Sequence, residues 1–457
     1  MKDLVFLTVS SFIEKFASFI LYSLLAYNFG KESLGYFSYY FVLANIFFLL
    51  FDFGGTTYGV KYFTGESYED NVFDVILLKT FIYAVCAPFI FFFINDTFFI
   101  IFYISFFLES LLSVIKSGIL CRKQFLTFSY YMMVEKIMLI IIAIAGTFAI
   151  KNLLIFYLAL LISKTIVLFI VFLRRPGIRF FPSISTLSMQ KIKSFANDSW
   201  SYTFYSFFAL VYGRVGIIIM KNFSENSLGD VGIFSSYENI IMATLIIPEI
   251  FFKRYYPAVT EDYIKKDTHS MYEKIKSVLK ISLVSSFFIA LFVAMFSKEI
   301  AGILFGPEFV ETKILLTIFS VKIAFRFALR PYLAVVASSD FTGFRFYISF
   351  IIFFISIGVN FALIPFFGIN GLVGAAIIVE IVLFLSYRVF CERKIIKRSF
   401  LAQDLFLFFQ ITVIGTIAIF LNNSGLIFRI IIFVPVILLT LGMFIKEKNN
   451  FIFRRDQ

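Results

Sequence analysis

The chain has 457 residues, 60% of them hydrophobic and only 15% charged, a balance that a lipid-embedded fold requires and a water-soluble one does not. No polar stretch runs longer than Arg174 to Asn197, which excludes a separate soluble catalytic or nucleotide-binding domain, and with it fused ATPases and most membrane enzymes. The excess of 41 Lys and Arg over 29 Asp and Glu is read as loop charge that orients a polytopic protein, not as a nucleic-acid surface, and the 69 Phe mainly as lipid-facing bulk.

A spanning helix takes about 20 apolar residues, so about fourteen of them would use about 300 positions. Apolar runs bounded by Gly, Pro, Asn or charge predict six spans at 5–29, 35–60, 73–94, 98–120, 130–150 and 153–173. A second six follow the longest polar loop, at 199–220, 231–252, 278–296, 314–337, 346–367 and 372–390, and two more lie at 405–421 and 426–445. The first run carries Glu14 and Lys15 and lacks a small-x-small cleavage site, so it reads as a retained helix and not a signal peptide. The predicted fold is an all-α polytopic membrane protein. Its lobes are 1–173 and 198–391, joined by a cytoplasmic linker at 174–197 and followed by two further helices and a basic tail at 392–457.

With the N-terminus inside, the loops on the cytoplasmic side gather Arg122, Lys123, Arg174, Arg175, Lys265, Lys266, Arg393 and Lys394 among others. The opposite side holds only Lys31, Lys151, Lys221, Lys298 and Lys313. Both termini are therefore expected to be cytoplasmic. Cys86, Cys121 and Cys391 lie in or beside apolar segments, and neither a disulfide framework nor a metal site is expected from them.

An internal repeat supports the two halves. Asn28-Phe29 followed by Ser33-Leu34-Gly35 recurs as Asn222-Phe223 followed by Ser227-Leu228-Gly229 at an offset of 194, and Gly35 to Tyr40 resembles Gly232 to Tyr237 at an offset of 197. An even number of helices per half makes the repeats parallel, with a cavity expected between them.

The most distinctive stretch runs from Asn360 to Ala376, where Pro365 is expected to end a helix, Gly368 to turn the chain, and Gly371, Gly374 and Ala375 to pack the next helix closely. Leu25-Ala26 with Asn28-Phe-Gly30, Gly35-Tyr-Phe-Ser38, Phe51-Asp52-Phe53-Gly54 and Leu304-Phe-Gly306-Pro-Glu308-Phe309 are further anchors, spread in order from residue 25 to about 376. In these motifs the chain resembles the Wzx-type flippases of the polysaccharide transporter family, within the MOP superfamily that also holds the MATE exporters. The resemblance implies a transporter in the bacterial inner membrane that moves undecaprenyl-pyrophosphate-linked oligosaccharide repeat units across the bilayer by alternating access. It implies no catalytic chemistry, no cofactor beyond H+ or Na+ coupling, no nucleic acid, and a polysaccharide polymerase as partner beside the lipid-linked substrate and membrane lipids.

Charges inside spans are costly and should face protein or water. Lys322, Arg326 and Arg330 recur every four residues in the tenth span, a stripe suited to line a cavity and meet an anionic diphosphate. Pairing with acids such as Glu14, Glu109 or Glu135 is the alternative. Arg214, in Tyr212-Gly213-Arg214 of the seventh span, is the second candidate. Lys79 and Lys164 are expected to snorkel to the surface. Glu14 and Asp52 are weighed equally as ion-coupling carboxylates and as structural ion-pair partners. Glu249 is expected to pair with Lys253 one turn on, and Glu380 has no nameable partner. His269 sits in a solvated loop and Trp200 at an interface. Two rival functions remain: a MATE-like exporter of drugs or small molecules, which prefers an acidic cavity, and a membrane glycosyltransferase or polymerase, which needs a large periplasmic loop.

Overall fold

In a computed structural model, residues 2–52, 63, 68–174, 189–223, 227–399 and 401–420 are described. Among them every regular element is helical. The main helices are α1 (Lys2–Phe51), α2 (Tyr68–Phe93), α3 (Thr97–Cys121), α4 (Phe125–Ala145), α5 (Leu154–Arg174), α6 (Met189–Val211), α7 (Val215–Phe223), α8 (Ser227–Thr244) and α9 (Ile246–Ile264). They continue as α10 (Thr268–Met295), α11 (Ser297–Phe305), α12 (Lys313–Phe319), α13 (Val321–Ser338), α14 (Thr342–Phe390) and α15 (Leu401–Phe420).

Eight helices among the described residues are long and apolar enough to cross a membrane, which makes this a multi-pass membrane protein. Two of them are too long to cross once. Val9–Phe51, with 43 residues, would rise about 65 Å as one straight helix, twice the roughly 30 Å of a bilayer core. It breaks at Gly30, whose φ of 79° only glycine adopts cheaply, and α14 breaks in the same way at Gly368 with φ 54°. Each therefore supplies two spans. The chain turns at Gly368 as expected, whereas Pro365 is accommodated inside the helix and does not end it. Helices α6 and α7 are long and apolar enough to cross a membrane only when taken together, with a 49° bend between them. The predicted spans 35–60 and 405–421 are described in part, and 426–445 lies outside the described residues.

The described residues cluster into two compact units, 1–243 with 343–379 and 244–342 with 380–457. In the first, α1 packs chiefly on α3 and α4, and α5 packs on both of these. Phe37 is fully buried at its centre, with ring centroids 5.7 Å from Tyr22, 5.0 Å from Phe102 and 5.2 Å from Tyr157. Phenylalanine thus plays two parts: Phe92 and Phe366 point outward at 81% and 80% exposure, while Phe37, Phe99 and Phe102 build the interhelical core. In the second unit α13 is the hub, packed by α9, α10 and α15.

The repeat noted in the sequence reappears as a physical contact. A Cβ on Gly35 would overlap the carbonyl of Leu228 and approach the Gly232 nitrogen, and a Cβ on Gly232 would overlap the carbonyl of Lys31 and approach the Gly35 nitrogen. Lys31 maps to Leu228 and Gly35 to Gly232 by the same offset of 197, so the contact is reciprocal, as at a two-fold axis. Small residues let membrane helices approach this closely. Gly35→Ala is expected to destabilise the purified protein by about 1–3 kcal/mol, because the new methyl meets backbone that has no rotamer to yield. Gly358→Ala, whose Cβ meets nothing within 4 Å, is the control, and equal thermal midpoints for the two variants would show that the crossing tolerates a methyl.

Candidate functional site

The first unit holds most of its membrane-depth charge in paired form. Asp52, at the end of α1, accepts from Lys79 Nζ at 2.7 Å and from Ser113 Oγ at 2.7 Å. Lys79 also reaches Ser110 O at 3.2 Å and Ser113 Oγ at 3.1 Å, so all three ammonium donors are engaged. Lys79 is fully buried and does not snorkel. For Asp52 this is the geometry of a structural pair.

Glu109, Lys116, Glu135, Lys136 and Lys164 form a second group on α3, α4 and α5. Lys164 lies 3.2 Å from Glu109 Oε2 and 5.1 Å from the Phe106 ring centroid, buried instead of reaching a surface. Lys116 bridges Glu109 Oε1 at 3.0 Å and Glu135 Oε2 at 3.1 Å. Glu14 is half-buried and its charge acts on Lys136.

Where α6 meets α7, the residues Tyr212, Gly213 and Arg214 interrupt the helix, because the chain turns there and only short-range bonds such as Arg214 N to Val211 O at 2.9 Å remain. The Tyr212 carbonyl so exposed accepts from Ser356 Oγ at 2.7 Å. One turn on, buried Asn360 donates to Ser356 O at 2.7 Å, and its Oδ1 sits where a Cβ on Gly216 would fall. Arg214 is half-buried at this break, and its charge is felt at Tyr22. A broken span whose freed backbone is met by polar side chains is a common form of transporter site. Close by in sequence, Lys221 Nζ lies 4.0 Å over the Tyr39 ring and 5.6 Å over Tyr40. Tyr36 donates to Asp96 Oδ2 at 2.6 Å, while Asp96 Oδ1 caps α3.

In the second unit the tenth-span stripe falls on α13. Lys322 is buried, 4.9 Å from the Phe319 ring centroid. Arg326 Nε stands 2.7 Å from Glu380 Oε2, with the glutamate side chain 1% exposed. Arg330 reaches Glu249 Oε1 at 3.4 Å. Glu380 and Glu249 are thus acids that meet the stripe among the described residues, and the expected pairing of Glu249 with Lys253 falls on a side chain outside the described ones. Arg330 also lines a narrow cleft with Pro248, Tyr255, Ile275, Ser282 and Pro331, of about 10 Å³, room for little more than one water.

No family model and no curated protein matches the sequence. Solved structures do. The lipid II flippase MurJ in an inward closed conformation superposes with a TM-score of 0.74 at 14% identity, over 97% of this chain and 99% of that one. An inward-facing multidrug resistance MATE transporter of the MOP superfamily gives 0.64 at 11% identity, over 88% and 96%. The fold is that of the MOP transporters. A third MOP structure, from Pyrococcus furiosus and described as having a binding pocket of reverse polarity, gives 0.54 at 10% identity, over 85% and 95%. These similar structures are transporters and a flippase, not enzymes.

The sequence put Lys322, Arg326 and Arg330 on one helix, as the fold has them, but did not name the acids that meet Arg326 and Arg330. It also missed the polar collar of Ser356 and Asn360. Their spacing of four, in a stretch otherwise apolar from Phe350 to Phe367, was the available signal.

Proposed function

We propose that this chain is a flippase that moves a diphosphate-linked lipid oligosaccharide, an O-antigen or related polysaccharide repeat unit on undecaprenyl pyrophosphate, across the bacterial inner membrane. The observation that carries the reading is the sign of α13. It presents Lys322, Arg326 and Arg330 and no acidic residue, in a fold that superposes best, among the structures compared above, on a lipid flippase. A cationic helix suits a diphosphate, whereas an exporter of cationic drugs calls for the opposite sign. Arg214, at the broken span, is a separate candidate contact.

The rest of the reading follows from the sequence: about fourteen helices, two six-helix lobes at 1–173 and 198–391 working by alternating access, both termini cytoplasmic, and a polymerase receiving the product. Proton or Na+ coupling is assigned to Glu14 in preference to Asp52, since Asp52 is engaged by Lys79.

Deleting the gene should abolish surface polysaccharide while lipid-linked repeat units build up on the inner leaflet. Mass spectrometry of extracted lipids, with a membrane-impermeant glycosidase to read sidedness, measures this. Normal surface polymer in a strain with no second flippase would refute the reading.

A further inference from the structure

Helix α6 and the first half of α14 run side by side in the same direction, since their contacts advance together along both sequences. Arg345 meets Tyr205, Phe350 stands 5.1 Å from Phe208 between ring centroids, and Ser356 meets Tyr212. Helix α6 carries Lys191, Lys193 and Asp198 before Trp200 and no charge from there to Val211. Helix α14 carries Arg345 in its first turn and no further charge until Glu380. The apolar part thus begins at one level on both helices, and Arg345 stands where hydrocarbon gives way to headgroups, the depth at which an exposed Trp200 is at home.

Arg345 has a neutral partner. Its Nη2 donates to the Tyr205 hydroxyl at 2.7 Å, its guanidinium carbon lies 4.8 Å from that ring's centroid, and its Nε is buried without a hydrogen-bond partner. Among the described residues no carboxylate stands within ion-pair distance of it, whereas Arg326, Arg330 and Arg388 each reach a glutamate. Asp198 of α6 is exposed and does not pair with it. A full cation with one of its five N–H donors answered is incomplete, and its place in the first turn also sets it against the helix dipole. An anion would supply both the charge and the acceptors. The surface around the pair is aromatic. Trp200 and Phe204 on α6 and Tyr347, Phe350 and Phe354 on α14 are exposed, and Phe208 joins the two sets with its centroid 6.1 Å from Phe204 and 5.1 Å from Phe350.

We infer that the Arg345 and Tyr205 pair binds the phosphate of an anionic bilayer phospholipid, whose acyl chains lie along the exposed rings of α6 and α14. A guanidinium fork matches phosphate oxygens, and basic pockets between membrane helices take anionic headgroups for this reason. A zwitterionic lipid suits the site less, because its own ammonium would return a positive charge beside Arg345. The site does not rest on the flippase reading.

The test uses the full-length protein in neutral detergent, with phosphatidylglycerol and phosphatidylcholine of the same acyl chains as probes. Native mass spectrometry of the bound lipid and the thermal midpoint are the readouts. Phosphatidylglycerol should bind about tenfold more tightly than phosphatidylcholine and raise the thermal midpoint further. Arg345→Gln should weaken phosphatidylglycerol binding at least about tenfold, the loss of one charge-assisted contact. Lys265→Gln on α9 removes the same charge elsewhere and should leave the affinity unchanged. Arg345→Lys keeps the cation and loses the fork, so it should fold and bind about threefold more weakly; with the preference of the wild type, it decides the matter if the Gln variant fails to fold. Equal binding of the two lipids, or wild-type affinity in Arg345→Gln, overturns the site. Farnesyl diphosphate is the competitor. Displacement of phosphatidylglycerol at equal concentration, with the same dependence on Arg345, would make the ligand a diphosphate and overturn the phospholipid, and failure to displace it supports the phospholipid.

Discussion

Lys116→Gln should strip most of the protein from the membrane. Lys116 is the central link between two carboxylates, 3.0 Å from Glu109 and 3.1 Å from Glu135, and its side chain is 9% exposed while that of Glu135 is 1%. Removing one partner of a buried ion pair costs about 3–5 kcal/mol, because the charge left behind keeps its desolvation and loses its attraction. Against a typical total stability of about 5–15 kcal/mol that is a large fraction. Lys136 and Lys164 still hold one oxygen of each carboxylate, which keeps the effect at the scale of one broken pair. Adding Glu135→Gln to the variant would in turn take from Lys136 its 2.7 Å partner, so the double variant should recover little of the lost protein. The contrast is Lys265→Gln on α9. Its 2.6 Å pair with Glu261 has side chains 65% and 62% exposed, and its loss should leave abundance and protease resistance unchanged, as for surface pairs in general. Membrane abundance and protease resistance of the purified variants measure both, and a Lys116→Gln protein as abundant and as resistant as the wild type would show that the chain of charges does not hold these helices together.

The fold was legible where one kind of force acts locally. Apolar runs with Gly, Pro and charge at their ends mark helices, because in lipid every backbone group must be bonded within its own segment. Gly368 was legible as a turn and Gly30 as the residue past the first apolar run, and the offset of 197 that links Gly35 to Gly232 is the register in which those two helices touch. The charged residues were legible as individuals and not as pairs. That Lys322, Arg326 and Arg330 share a face follows from helical spacing; that Arg326 meets Glu380, 54 positions away, depends on which helices are neighbours. Lys79 and Lys164 illustrate the same gap. A lysine near a predicted helix end is expected to snorkel, and only the packing of α1 and α3 shows that Asp52 and Glu109 stand where the ammonium groups are. The one pairing taken from spacing, Glu249 with Lys253, falls on a lysine side chain outside the described ones, and Glu109 with Lys116, two turns apart on one helix, went unread.

Arg326→Gln separates structure from transport if it is made together with its partner. Alone, it should lower protein abundance, because Glu380 at 1% exposure would keep a buried charge with its 2.7 Å ion-pair partner gone, at a cost of about 3–5 kcal/mol. Arg326→Gln with Glu380→Gln removes both charges and should restore abundance. On the flippase reading the five donors of the planar guanidinium would serve the diphosphate as well as Glu380, which stands at ion-pair distance. If it does so, the restored double variant still lacks a charge-assisted contact of about 1.5–3 kcal/mol, and surface polymer should remain about 10- to 150-fold below wild type at equal protein level. Arg326→Lys keeps the charge and loses the fork, so it should fold and give an intermediate amount of polymer. Complementation by the double variant to the wild-type level would make the Arg326–Glu380 pair purely structural. The diphosphate contacts would then have to be sought at Lys322, Arg330 and Arg214.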